Sequence, residues 1–168
     1  TLLDQLRYYR QYTFLKALEI NDPAYDVAVR LLPVINGKAD TSRHHARINQ
    51  GMLELQNGDL FYISAKNNTH RSLYLNILDL QPDGLINAVL PNKAFPVLPS
   101  ELQLGAGQER VFPYVLKIAP PYGKETYKIF VSAKEIDMET IALSNGSRPR
   151  ANLSAVQELV NESIGATS

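Results

Sequence analysis

The chain contains no cysteine and no tryptophan. The lack of cysteine excludes disulfides, thiolate metal ligands and a cysteine nucleophile. Seventeen basic and seventeen acidic residues cancel, so no net charge draws the chain to nucleic acid or to an anionic membrane. There is also no run of about 18 apolar residues, as a membrane-spanning helix would need. We therefore expect no nucleic-acid partner and no membrane span.

Catalytic motifs are missing as well. The sequence has no Gly-x-Ser-x-Gly elbow, and only His44, His45 and His70 could act as a general base. Its carboxylates are scattered over predicted turns rather than paired, and the PPYGKE segment at 120–125 lacks the glycine spacing of a phosphate-binding loop. We expect no catalytic residue, no cofactor and no metal. An independent hydrolase built from dispersed histidines and acidic residues is a rival prediction.

The first part of the chain predicts one helix and one strand. Apolar residues recur at three- and four-residue spacings over 2–18, which indicates an amphipathic helix, and Pro23 follows its end. A strand is predicted over 26–34, interrupted at Pro33, which places that end of the strand at a sheet edge. Residues 36–50 are small, polar and basic without periodicity, so they are predicted to form a surface loop.

From residue 51 onward the pattern predicts short antiparallel strands. Side chains alternate in the segment LFYISAK, and Pro82, Asp83 and Gly84 provide turn chemistry between two further strands. Gly123 is expected to supply a positive φ in the turn between the last two strands, which are read as a pair. The predicted strands cover residues 52–56, 60–66, 73–80, 85–90, 111–118 and 127–134. Residues 67–69 are predicted as a turn, and 91–107 as a long connection.

The chain ends in a predicted linker and helix. Apolar residues over 153–164 fall on one helical face. The predicted organisation is an N-terminal helix at 1–22 that links to an upstream domain, a β-sandwich domain at 24–139, and a linker with a C-terminal helix at 140–168. Strands separated by turns at this spacing indicate an antiparallel, immunoglobulin-like β-sandwich with flanking helices.

Two groups of residues are candidates for partner binding. Adjacent histidines on an extended chain point apart, so the basic segment around them is expected to contact an acidic protein surface rather than a metal. Tyrosines on half-exposed strands suit protein contact, although they suit a half-buried pleat equally well. The candidates are Arg43, His44, His45, Arg47, Tyr62, Tyr74 and Tyr122.

Several turn and strand motifs carry a resemblance to a known family. They are Asn57-Gly58-Asp59 before a strand, LYLNILDLQPDGLINAVLPN at 73–92, Gly105-Ala106-Gly107, and PPYGKETYKIFVSAKEID at 120–137. In this order they resemble a bacterial domain of unknown function that follows caspase-like (metacaspase- or orthocaspase-type) cysteine peptidase domains. The resemblance covers about half of the chain and implies a β-sandwich accessory domain. Its family has no functional residues that can be carried over.

The resemblance leads to the functional expectation. We expect a non-catalytic C-terminal accessory or regulatory domain of a bacterial caspase-like cysteine peptidase, acting through contact with the peptidase or other proteins. The strand over 26–34 could accept a partner strand at the sheet edge. The alternative is a stand-alone module that binds a small molecule or glycan, with Tyr62, Tyr74 and Tyr122 lining a pocket. The compartment, bacterial cytoplasm or periplasm, stays open.

Overall fold

The computed structural model describes residues 2–19, 22–42, 48–49, 52–91, 97–118, 123 and 126–136. The chain divides into two compact units, and each is described by itself. The first contains residues 1–25, 73–103 and 123–168, and the second contains residues 26–72 and 104–122. In chain order the elements are α1 (Leu2–Ala17), a 3-10 turn (Pro23–Tyr25), β1 (Val27–Ile35), β2 (Lys38–Ala39), β3 (Ile48–Asn49), β4 (Met52–Leu53), β5 (Leu60–Asn67), β6 (Leu73–Leu80), β7 (Ile86–Leu90), a second 3-10 turn (Pro99–Leu102), β8 (Gln103–Leu104), β9 (Glu109–Lys117) and β10 (Thr126–Ser132).

The second unit is built on a four-stranded antiparallel sheet with the order β2-β1-β5-β9. Its central strand β5 alternates as the sequence predicts: Phe61, Ile63 and Ala65 are buried on one face. The short strand β2 pairs only with the end of β1, through a hairpin at Asn36 and Gly37. A separate two-stranded sheet joins β3 and β4.

The first unit contains an antiparallel sheet in which β6 lies between β10 and β7. Helix α1 packs on this sheet, because Leu15 forms a buried cluster with Leu78, Leu80 and Ile86. Tyr12 and Phe130 pack against the cluster.

Polar contacts at both sides of this cluster hold the helix in place. The Tyr12 hydroxyl donates to the carbonyl of Gln81 at 2.8 Å. The Lys128 ammonium donates to the carbonyl of Leu18 at 2.9 Å, which places a positive charge at the negative end of the helix dipole.

The structure confirms the main features of the predicted fold class. The chain is mainly β with antiparallel sheets, and one helix covers residues predicted to be helical at the N-terminus. The predicted linker and C-terminal helix at 140–168 lie outside the described residues. The positions of strands β1, β5, β6 and β7 agree with the prediction to within a residue or two.

Several local predictions are wrong. Residues 36–50 do not form one loop, because Asn36 and Gly37 both have positive φ and close the hairpin between β1 and β2. The last two strands do not pair with each other: β9 joins β5, whereas β10 joins β6. The predicted strand at 52–56 is reduced to β4.

Two single-residue predictions also need correction. Asn67 is the buried last residue of β5 rather than part of an exposed turn. Gly123 does not have a positive φ. It is needed for close approach instead, because a Cβ at this position would lie 2.6 Å from Cγ of Pro82.

Candidate functional site

The strongest candidate site is the outer edge of strand β1. In an antiparallel strand the N–H and C=O groups of one residue point to the same side, and this direction alternates along the chain. The Asp26 carbonyl accepts from the Asn68 amide on the β5 side, and the Pro33 carbonyl accepts from the Asp40 amide on the opposite side. The backbone groups of Val27, Val29 and Leu31 therefore point away from β5.

No described strand covers this edge over Val27, Val29 and Leu31. The hairpin partner β2 reaches only Val34 and Ile35, and the Asp40 amide extends the contact by one residue to Pro33. The open stretch is about 17 Å long at the usual strand rise. We call it the β1 edge. It presents donors and acceptors in the arrangement that a further antiparallel strand requires.

The opposite edge of the same sheet is less regular. Strand β9 contains Pro113, which has no amide to donate. Its pairing with β5 also shifts between Tyr62 and Ser64. Proline and bulges are devices that protect edge strands from pairing. Within this sheet, the β1 edge is thus the one that can accept a partner over a continuous stretch.

The side chains of β1 are mostly apolar. Val27, Val29 and Leu31 share one face and are half-buried, and on the other face Arg30 is exposed. Neighbouring apolar side chains would pack with those of an added strand, while Arg30 offers a single positive charge to it. The site has no group suited to covalent chemistry, so its chemical capacity is backbone recognition.

A buried amide fixes the end of β5 that supports this edge. Asn67, which pairs with Val27, is fully buried. Its Nδ2 donates to the carbonyls of Arg71, Leu104 and Gly105 at 2.8, 3.1 and 2.9 Å. Its Oδ1 accepts from the amide and hydroxyl of Thr69 at 2.9 and 2.8 Å. Sequence reasoning missed this residue, because asparagine after a strand is also typical of a turn.

The burial of Asn67 also bears on N-glycosylation. Asn67 begins one of the Asn-x-Ser/Thr matches in the sequence. A glycosylation acceptor must expose its amide nitrogen, whereas Nδ2 of Asn67 is committed to carbonyl partners in the interior. The folded domain cannot carry a glycan at this position.

The residues predicted from sequence for partner binding are only partly described. Arg43, His44, His45, Arg47 and Tyr122 lie outside the described residues. Tyr62 is half-buried on β5 in the second unit. Tyr74 is half-buried on β6 in the first unit, where it accepts from Nε2 of Gln103 at 3.2 Å. The structure describes no site shared by any of these seven residues, and the small-molecule or glycan alternative stays a prediction.

Titratable groups provide no further candidate in the described part of the chain. No cluster of histidine, aspartate and glutamate suited to a metal ion occurs there. Burial raises the pKa of Tyr12 above 10.0, and the carboxylates of Asp79 and Asp83 add to this effect. Tyr12 helps to dock helix α1 on the sheet, so its raised pKa follows from packing and does not mark a functional site. The one described α-helix is too short and too polar to cross a membrane.

Comparison with protein families gives a match over the central part of the chain. Comparison with curated proteins and with solved structures found no match. The matched family segment begins after β4 and includes strands β5 to β10, so β1 precedes it in sequence and adds to its sheet through β5. Residues 54–135 match the family described as a domain of unknown function, DUF4384.

Proposed function

We propose that this chain is a non-catalytic accessory domain that binds another protein by pairing a strand of that protein with the β1 edge. The domain would serve at the C-terminal end of a bacterial caspase-like cysteine peptidase and position or restrain it. In this proposal the antiparallel sheets form an immunoglobulin-like sandwich. The peptidase context is supported by the motif resemblance at 57–59, 73–92, 105–107 and 120–137.

The observation that carries the proposal is the open β1 edge. Val27, Val29 and Leu31 each direct a donor and an acceptor away from β5, and no described strand pairs with them. Strand addition uses main-chain hydrogen bonds for affinity and alternate side chains for specificity. The open backbone groups of β1 supply the hydrogen bonds, and its apolar side chains and the exposed Arg30 supply the specificity.

The energetics favour a partner whose strand is already folded. Six hydrogen bonds at about 0.5–1.5 kcal/mol each contribute roughly 3–9 kcal/mol. Ordering five residues of a disordered peptide costs about 5–10 kcal/mol for the backbone alone. The net free energy of pairing with a disordered peptide is therefore close to zero, whereas the edge strand of a folded domain avoids most of the ordering cost. A folded peptidase domain fits this requirement.

The decisive substitution is Val29→Pro. The Val29 amide points to the open side, so proline removes a donor from the edge and leaves the ladder with β5 intact. We expect Val29→Pro to weaken binding to a coexpressed caspase-like peptidase domain by about tenfold or more, which corresponds to about 1.4 kcal/mol. Isothermal titration with the purified peptidase domain measures the loss.

Two controls separate binding from folding. Val29→Thr keeps both the amide and the β-branched shape and should bind like the unaltered chain. Ala28→Pro removes an amide that points to β5, so it should unfold the strand and lower the melting temperature, whereas Val29→Pro should not. Equal binding by Val29→Pro and Val29→Thr would refute edge pairing. A complete failure of the unaltered chain to bind the peptidase domain would refute the peptidase context.

A further inference from the structure

The β1 edge carries a charge pattern that is complementary to itself. Asp26 immediately precedes β1, and its carbonyl extends the ladder with β5 by accepting from the Asn68 amide. Side chains alternate along an extended chain, so Asp26 and Arg30 share one face of the sheet, with Ala28 between them. Asp26 and Arg30 are both exposed. The edge therefore presents an acid and, four residues later, a base.

This order of charges defines the strand that would pair best with the edge. An added antiparallel strand runs in the opposite direction, so it meets Arg30 first and Asp26 four residues later. Opposite charges across a strand pair stabilise it and like charges destabilise it, so the best match is an acid followed, four residues on, by a base. The segment DVAVR at 26–30 has this order itself. A second copy of the chain can therefore place its Asp26 opposite Arg30 and its Arg30 opposite Asp26.

The same pairing satisfies open backbone groups of the edge. When Asp26 faces Arg30 of the second copy, Val27 faces Val29, and Ala28 lies on the two-fold axis opposite its own counterpart. The groups of Val27 and Val29 that point away from β5 then form two hydrogen-bonded residue pairs between the copies. The valine side chains pack against each other on the other face. The small side chain of Ala28 suits the position on the axis, where the two strands approach most closely.

Charge selects this register over its neighbours. Shifting the second copy by two residues places Arg30 opposite Ala28, and a further shift places Arg30 opposite Arg30 of the other copy. Lys66 is also exposed on this face, where it lies between Ala28 on β1 and Glu109 on β9. The Lys66 residues of the two copies would be three strand spacings apart, about 14 Å, and salt screens most of their repulsion at that distance.

We propose that two copies of this chain pair through their β1 edges, with Asp26 of each copy opposite Arg30 of the other. Each β1 is already held by its ladder with β5, so the pairing orders no further backbone. The contact is small compared with the roughly 1,200–2,000 Å² that stable complexes bury, so the dimer is weak and reversible. Because it occupies Val27 and Val29, it keeps another strand off the β1 edge. This regulatory consequence rests on the proposed function, whereas the self-pairing does not.

Charge reversal tests the pairing with the chain alone. Sedimentation velocity between about 10 μM and 1 mM should show a monomer–dimer equilibrium for the unaltered chain. Asp26→Arg and Arg30→Asp each place like charges opposite one another at both ends of the contact, so each variant should dimerise about tenfold more weakly. The control Lys117→Asp reverses an exposed charge on β9 and should dimerise like the unaltered chain.

Two combinations identify the contact itself. An equimolar mixture of Asp26→Arg and Arg30→Asp should form a mixed dimer, because two bases of one chain then face two acids of the other. The double variant, Asp26→Arg with Arg30→Asp, should dimerise like the unaltered chain, since a base followed by an acid is also complementary to itself. Recovery in either experiment also shows that the single substitutions leave the fold intact.

Several results would overturn the proposal. They are an unaltered chain that stays monomeric up to about 1 mM, a dimer that neither charge reversal weakens, and a failure of the two combinations to restore dimerisation. Binding to the peptidase domain is a separate measurement. Its failure would refute the proposed function and leave the self-pairing standing, whereas a monomeric chain that binds the peptidase domain would do the reverse.

Discussion

Replacement of Asn67 by alanine tests whether one buried amide holds the support of the β1 edge. Asn67 ends β5 opposite Val27, and its side chain joins the turn at Thr69 and Arg71 to the segment at Leu104 and Gly105. Alanine preserves the strand backbone, including the hydrogen bond from the Asn67 amide to the Gln108 carbonyl at 2.9 Å. The substitution therefore removes only the side-chain contacts.

The expected loss follows from the number of partners. The two hydrogens on Nδ2 are donated to buried or partly buried carbonyls, and Oδ1 accepts two hydrogen bonds from Thr69. Each bond contributes about 1 kcal/mol net. Thr69 is half-buried, so water replaces part of its loss, and we expect Asn67→Ala to lower the free energy of unfolding by about 3 kcal/mol.

Urea denaturation monitored by far-UV circular dichroism measures this change, and Asn68→Ala is the matched control. Asn68 is the same residue type at the next position, but its side chain is exposed. It uses only its backbone amide, which donates to the Asp26 carbonyl. We expect Asn68→Ala to change stability by less than about 0.5 kcal/mol. A loss below about 1 kcal/mol for Asn67→Ala, or equal losses for both variants, would refute the reasoning.

Two further predictions concern the docking of α1. Leu15→Ala should lower the free energy of unfolding by about 2–5 kcal/mol, because it opens a cavity in a fully buried cluster. The control Leu98→Ala alters a side chain that is 67% exposed and should lower the free energy of unfolding much less. Equal losses for the two variants in urea denaturation would contradict this packing. Tyr12→Phe tests the raised pKa of Tyr12: the protonated phenol stabilises the fold fully below pH 10, and this contribution is lost as the pH rises through the higher folded-state pKa. The unaltered chain should therefore lose more stability than Tyr12→Phe as the pH rises above 10. Identical pH profiles for the two chains would show that Tyr12 does not carry the effect.

Local patterns in the sequence were sufficient for most elements of the fold. The alternation of Phe61, Ile63 and Ala65 predicted both the strand β5 and its buried face, and Gly84, at φ 89°, closes the turn that Pro82 and Asp83 indicate. These signals are local because side-chain period and turn chemistry act over a few residues. The one local signal that was missed, Asn36-Gly37, is a preferred pair for a two-residue hairpin.

The candidate site was predictable only in part. Pro33 indicates that its end of the strand lies at a sheet edge, whereas in the structure Val34 and Ile35 pair with β2 and the open part of the edge precedes Pro33. The direction in which its backbone groups point became clear only from the Asp26 and Pro33 carbonyl partners. Which side of a strand is open depends on what pairs with it, and that information is not present in the strand itself.

The sequence by itself determined the mainly β character, the turns and the amphipathic N-terminal helix, because each follows from the chemistry of neighbouring residues. Only the tertiary structure decided that β9 and β10, which are consecutive in the chain, belong to different sheets. It also decided that Asn67 is buried rather than exposed, since the carbonyls that make its burial favourable include those of Leu104 and Gly105, 37 and 38 positions further along the chain. Pairings and polar contacts at such distances depend on which surfaces meet after folding, and no local pattern encodes them.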